Sequence, residues 1–185
     1  MSSGGFREVI DLAVRLQQDL APYVAQPADQ HAISGGSPTV DGFVDEYDHR
    51  IKDEALRTAT RKRFLSKHYS DAVEAGVKAL NERVRQRSGS IDDGDSLMTN
   101  VLSQQNPILR VNDGTTKSHQ SEQRGYMNLC AGVVGAWRNP RAHSTDIEDS
   151  PESALMMLET IDHLMAVVAE AKRTRSRKKA PKPGP

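Results

Sequence analysis

An all-α fold, built as a compact helical bundle, follows from three features of the sequence. Apolar residues recur at three- and four-residue intervals through much of the chain, the period of a helix face rather than the alternation of a strand. Aromatic residues make up only 4% of the chain, so Ala, Val, Leu and Met supply most of the apolar content and favour helix packing over a sheet sandwich. At 185 residues the chain has room for one domain with a real core, plus appendages.

The elements follow in order. Residues 6–20 place Phe6, Val9, Ile10, Ala13, Val14 and Leu20 on one stripe and predict an amphipathic helix. Pro27, Gly35, Gly36 and Pro38 then predict a flexible connector, so residues 1–40 form an N-terminal appendage. The main domain, residues 41–171, begins with a charged helical pattern from Gly42 to Ser66, whose buried side is marked by Val44, Tyr47, Ile51, Ala55, Leu56 and Ala59. A second helix carries Val73, Val77, Leu80 and Val84, with Ser70 or Asp71 as its expected cap and Ser88-Gly89 as its end. Asp95 or a neighbour caps a short helix through Leu97, Met98, Val101 and Leu102.

Residues 103–120 are less regular. Pro107 to Val111 predicts a short extended piece, turned by Asn112-Asp113-Gly114. A central helix is expected from Ser121 to Arg138, with Tyr126, Leu129, Cys130, Val133, Val134 and Trp137 on its apolar face. Ala131, Gly132, Gly135 and Ala136 leave room for close helix neighbours, which predicts burial on most sides. Ser150-Pro151 signals the start of the last helix, with Ala154, Leu155, Leu158, Ile161, Met165 and Val168 facing the core. Residues 172–185 are basic, contain prolines and lack periodicity, and predict a disordered tail.

The formal net charge is zero, but seven basic residues and no acidic one follow Ala171, which leaves the rest of the chain acidic. A generically basic nucleic-acid-binding domain is thereby excluded, and the tail reads equally well as a non-specific nucleic-acid contact or a solubility extension. With Cys130 alone, the chain can form no internal disulfide; the residue reads as core packing in a reducing compartment. Neither a membrane span nor a signal peptide is evident, so a cytoplasmic protein without membrane contact is expected. No zinc-ligand spacing or glycine-rich phosphate loop occurs, so no metal and no cofactor are expected.

The candidate site is Ala136-Trp137-Arg138-Asn139-Pro140-Arg141-Ala142-His143. Pro140 has no N–H and disfavours the α region for Asn139, so the central helix is expected to stop there. An arginine, an amide and a histidine would then gather at a helix exit on a rigid support. Arg63 and His68 share the spacing of Arg138 and His143, but have only a charged surface helix behind them.

Arg138-Asn139-x-x-x-His143 at the end of a core helix resembles the motif of the HEPN superfamily of prokaryotic ribonucleases and toxins. Three blocks, His68-Tyr69-x-Asp71-Ala72-Val73-x-x-x-x-Lys78-Ala79-Leu80, Asp95-x-Leu97-Met98 and Ala131-Gly132 through His143, resemble the Ymh-type family, which is grouped with HEPN proteins and found near mobile-element defence genes. The resemblance spans roughly residues 50–170. It implies a HEPN-like bundle and metal-independent cleavage of RNA in anti-phage defence or as a toxin, by a homodimer with a composite active site. It assigns His143 to proton transfer at the 2′-hydroxyl or the leaving 5′-oxygen, Arg138 to the scissile phosphate, and Asn139 to orienting His143. Arg141 would add a phosphate contact, and the face of Asp71, Glu74 and Lys78 would contribute to the cleft.

The residues leave rivals open. Arg138 could pair with an acidic residue such as Asp71 or Glu74, His143 could be a solvated loop residue, and Asn139 could serve only the turn. Asp71, Glu74 and Lys78 could equally be a solvated row. On the whole-protein scale, the rival is a non-catalytic module that binds RNA, another ligand or a partner, with the N-terminal helix as a docking element for a protein partner.

Overall fold

The computed structural model describes residues 40–143 and 147–174, with the side chains of Val40 and Asp41 left aside; the expected helix at 6–20, its connector and the tail beyond Thr174 lie outside the described residues. The described chain is all-α and bundled. Its helices are α1 (Val40–Arg50), α2 (Glu54–Leu65), α3 (Tyr69–Ser88), α4 (Gly94–Val101), α5 (Lys117–Val133), α6 (Asn139–His143) and α7 (Pro151–Glu170). A π-helical turn, Val134–Arg138, joins α5 to α6, and β1 (Leu109–Arg110) pairs antiparallel with β2 (Lys172–Arg173).

Helices α2 and α7 both pack on α3, and Gly76 is where the three meet. A Cβ there would stand 2.9 Å from Leu158 Cδ2, 3.2 Å from Ile161 Cδ1 and 3.3 Å from Leu56 Cδ1. The core continues along α3 and α7 through Val73, Val77, Leu80, Val84, Leu155, Leu158, Ile161 and Met165, all at most 2% exposed. Ser150 caps α7 by accepting from Ser153 N, with Pro151 in the first turn, and Gly89 ends α3 at φ 72°, as the sequence leads one to expect.

Four local expectations are corrected. The stretch from Gly42 to Ser66 is two helices: Asp162 Oδ1 accepts from Lys52 N at 2.9 Å and Asp53 N at 2.7 Å, and Asp53 then caps α2 by accepting from Leu56 N at 3.0 Å. Ser70 and Asp71 do not cap α3, whose start is at His68; the Ser70 hydroxyl instead donates to Ile147 O at 2.7 Å. A neighbour of Asp95, Asp93, holds the cap position of helix α4, but its side chain makes no capping bond. At the far end, Lys172 and Arg173 pair with Arg110 and Leu109, and Thr174 N donates to Ile108 O at 2.9 Å, so the tail's first residues are ordered against the domain.

The irregular segment is held from beneath by Gln123, which is 3% exposed. Its amide nitrogen donates to Leu102 O at 2.9 Å and Leu109 O at 3.1 Å, and its amide oxygen accepts from Val111 N at 3.0 Å. One side chain thus satisfies three backbone groups from three points of this segment.

Candidate functional site

Pro140 does not end the helix. Asn139 stays helical at φ −61° and ψ −46°, and its N–H donates to Val134 O across the widened π turn. A proline ring collides with the carbonyl four residues back, and a π turn relieves that collision by moving the carbonyl away. The chain therefore passes from α5 through the π turn into α6 without a break, and His143 is the last residue of α6.

The support beneath this segment is one-sided. Cys130, Val133 and Val134 are buried, and Tyr126 and Trp137 pack against the core from its edge. Burial pushes the Cys130 thiol up to about 12, which leaves it an inert core group. Burial on most sides is not what the chain achieves, however. Gly125, Leu129, Gly132, Ala136, Asn139 and His143, spaced alternately by four and three residues, are all exposed. Leu129 is 53% exposed, and beyond the helix's own backbone and the adjoining residues no described atom stands within 4 Å of a Cβ built at Gly125, Gly132 or Gly135.

The two arginines of the motif differ sharply. Arg141 turns inward: its side chain is 8% exposed and that of Asp149 9%. Its Nε donates to Asp149 Oδ2 at 2.8 Å, Nη2 to Oδ1 at 2.6 Å and Nη1 to Trp137 O at 2.8 Å. Burial raises the Asp149 pKa, but bonds from Arg141 and Ser70 outweigh it and hold the carboxyl below its ordinary value. Arg141 thereby anchors α6 to the loop before α7, and its donors do not face solvent as a phosphate contact would need.

Arg138 keeps a quarter of its side chain exposed and does pair with an acidic residue, as the rival reading has it; the partner is Asp93 and neither Asp71 nor Glu74. Its Nη2 lies 3.2 Å from Asp93 Oδ2. Asp93 Oδ1 accepts from Arg85 Nη2 at 2.9 Å and Asn81 Nδ2 at 3.3 Å. Asn81 and Asp93 went unnoticed in the sequence, since an amide inside an apolar stripe and an aspartate ahead of a helix have ordinary uses.

Of the row on α3, Lys78 Nζ and Glu74 Oε1 pair with each other at 2.7 Å, as on a solvated face. Asp71 is exposed and lines a cavity of about 460 Å³ with His68, Ser70, Ile147 and Asp149, next to the Arg141 anchor; Glu74 and Lys78 do not line it. Arg63, of the rival pair, donates to its own helix at Ala59 O at 2.6 Å. No described helix is long and apolar enough to cross a membrane.

No curated protein and no solved structure matches the chain. The model of the family described as Hypoth_Ymh, protein of unknown function, matches residues 50–168, which takes in α2 through nearly all of α7 with the Arg138–His143 segment inside it. The match covers well over half of the sequence, and the chain belongs to the Hypoth_Ymh family.

Proposed function

We propose that this protein is a metal-independent endoribonuclease of the HEPN type, acting in anti-phage defence or as a toxin, with its site shared between two copies. The observation that carries the reading is the way the motif is split on its helix. His143 ends the exposed stripe that begins at Gly125, while Arg138 is held to one side of it by Asp93. Five residues of α-helix turn the chain by about 140° beyond a full circle and advance it about 7.5 Å, so one copy presents its two groups in different directions. A second copy crossing the first by a two-fold axis at the Ala136–His143 end of the stripe would bring its own His143 to the side of the first copy's Arg138. The missing side chains at Gly132 and Gly135, next to that crossing, would leave room for it.

In this site one His143 imidazole takes the proton from a ribose 2′-hydroxyl as that oxygen bonds to the adjacent phosphorus. The bond from phosphorus to the 5′-oxygen breaks, and the leaving oxygen takes up a proton from water, while the imidazolium returns its own proton to solvent. The products are a 2′,3′-cyclic phosphate and a free 5′-hydroxyl, which confines the reaction to RNA. Arg138 offsets the charge that builds on the non-bridging oxygens. Arg141 supports α6 and takes no part in contacting substrate.

The test is cleavage of a randomised single-stranded RNA pool, with the ends mapped for cyclic phosphate. Arg138→Ala and His143→Ala are each expected to lower turnover at least about a hundredfold, the usual scale for an acid–base group or a charge-stabilising donor. Undiminished cleavage in both variants ends the nuclease reading. The uncovered stripe also suits a non-catalytic module that grips a partner helix; tight RNA or protein binding with no turnover by pure protein would favour that second reading.

A further inference from the structure

Asn81 is 3% exposed, in the buried face of α3, and its Oδ1 has no hydrogen-bond partner among the described residues. Buried acceptors in folded proteins are nearly always paired, because an unpaired one loses its water and gains nothing. A leucine on the same helix face would carry no such cost. What Asn81 does with its other end is donate to Asp93 Oδ1 at 3.3 Å.

Asp93 is diverted in the same way. It occupies the N-cap position of α4 with extended backbone, φ −137° and ψ 160°, where a carboxylate ordinarily accepts from the first turn; its side chain does not do so. Its Oδ1 is held by Asn81 and Arg85, and its Oδ2 takes Arg138 at 3.2 Å. Glu82 steadies Arg85 in turn, at 3.0 Å. The next residue, Gly94, has φ +60°, and a Cβ there would lie 3.4 Å from Arg138 Nη1. Two polar side chains have given up the bonds that would stabilise the fold, both beside a single guanidinium.

We propose that Asn81 and Asp93 are positioning residues for Arg138: Asn81 fixes the Asp93 carboxylate from inside the core, and that carboxylate aims the guanidinium. The proposal rests on reading Arg138 as the phosphate-binding group of the nuclease. A mere structural role would make the polar pair stabilising. Positioning instead predicts opposite signs, with the fold gaining and the reaction losing when Asn81 becomes apolar.

The experiment compares wild type, Asn81→Leu and Asn81→Ala by thermal melting, by cleavage of the randomised RNA pool, and by side-chain NMR of ¹⁵N-labelled arginine with Arg138→Lys to assign the signal. The expected result is an Asn81→Leu protein that melts no lower than wild type. Its kcat falls about tenfold with KM within about twofold, the pattern of an interaction felt mainly in the transition state. Hindered rotation of the Arg138 guanidinium is lost in both variants. Asn81→Ala guards against a leucine too large for the site. An Arg138 signal as restrained as in wild type in both variants overturns the proposal, as does lost restraint with undiminished kcat in a protein that Arg138→Ala inactivates. If Arg138→Ala itself leaves cleavage intact, the nuclease reading fails on its own, and the guanidinium measurement still decides whether Asn81 holds Arg138 in place.

Discussion

Arg141 and Asp149 show what a charged pair does when both partners are nearly sealed from water. The bidentate geometry, at 2.6 and 2.8 Å, makes up for desolvation only while both members are present. Removing Arg141 alone leaves a carboxylate buried, which typically costs about 3–5 kcal/mol. Arg141→Ala is therefore expected to lower the unfolding free energy by that order in urea titrations, whereas Arg141→Met with Asp149→Leu should recover most of it. The pair also fixes an acid dependence. Because the folded Asp149 carboxyl lies below its ordinary value, its contribution is full above the unfolded pKa of about 3.9 and is lost as pH falls through the lowered folded one. The gap in melting temperature between wild type and Arg141→Ala should narrow as pH drops below about 4. Sequence alone could not say which arginine of the motif turns inward, since Arg138 and Arg141 both sit beside the same apolar helix. The partners that decide it, Asp93 and Asp149, belong to other elements.

The helices were legible where their signals are local. Ser150-Pro151 and the apolar stripe of α7, and Gly89 after α3, each act within one or two turns, and each held in the folded chain. The break between α1 and α2 was not legible, because the oxygen that accepts from Lys52 and Asp53 comes from Asp162, on α7. Pro140 misled for a different reason: the rule that proline ends a helix assumes α geometry before it, and the π turn at Val134–Arg138 supplies another way to clear the ring. Gln123 is the clearest case of an element held by one residue at a distance from its sequence neighbours. Gln123→Ala leaves Val111 N and the carbonyls of Leu102 and Leu109 without their partner, at about 1–3 kcal/mol for a buried group left unmade. The expected outcome is a lower melting temperature together with fast amide exchange at Val111, while exchange in the middle of α3 and α7 changes only with global stability.

On the scale of the whole molecule, the motif faces two ways. Arg138 is tied back toward α4 through Asp93, while Asn139 and His143 continue the uncovered stripe of α5 and the π turn. In the proposed dimer, the stripe with its half-exposed Leu129 and its glycines would seat the second copy, and two-fold pairing would place each His143 against the other copy's side of the helix. That arrangement makes a prediction that a site contained within one copy does not share. Arg138→Ala protein keeps His143, and His143→Ala protein keeps Arg138, and each alone is expected to be inactive. Mixed after brief unfolding and refolding together, they form mixed dimers in about half of the pairs, and each mixed dimer has one of its two clefts intact. Cleavage of the RNA pool should then return to about a quarter of the wild-type rate. A mixture as inactive as its parts, in a preparation where mass-tagged subunits are seen to have exchanged, would mean that each copy works with its own arginine and histidine, and the shared cleft would have to be given up.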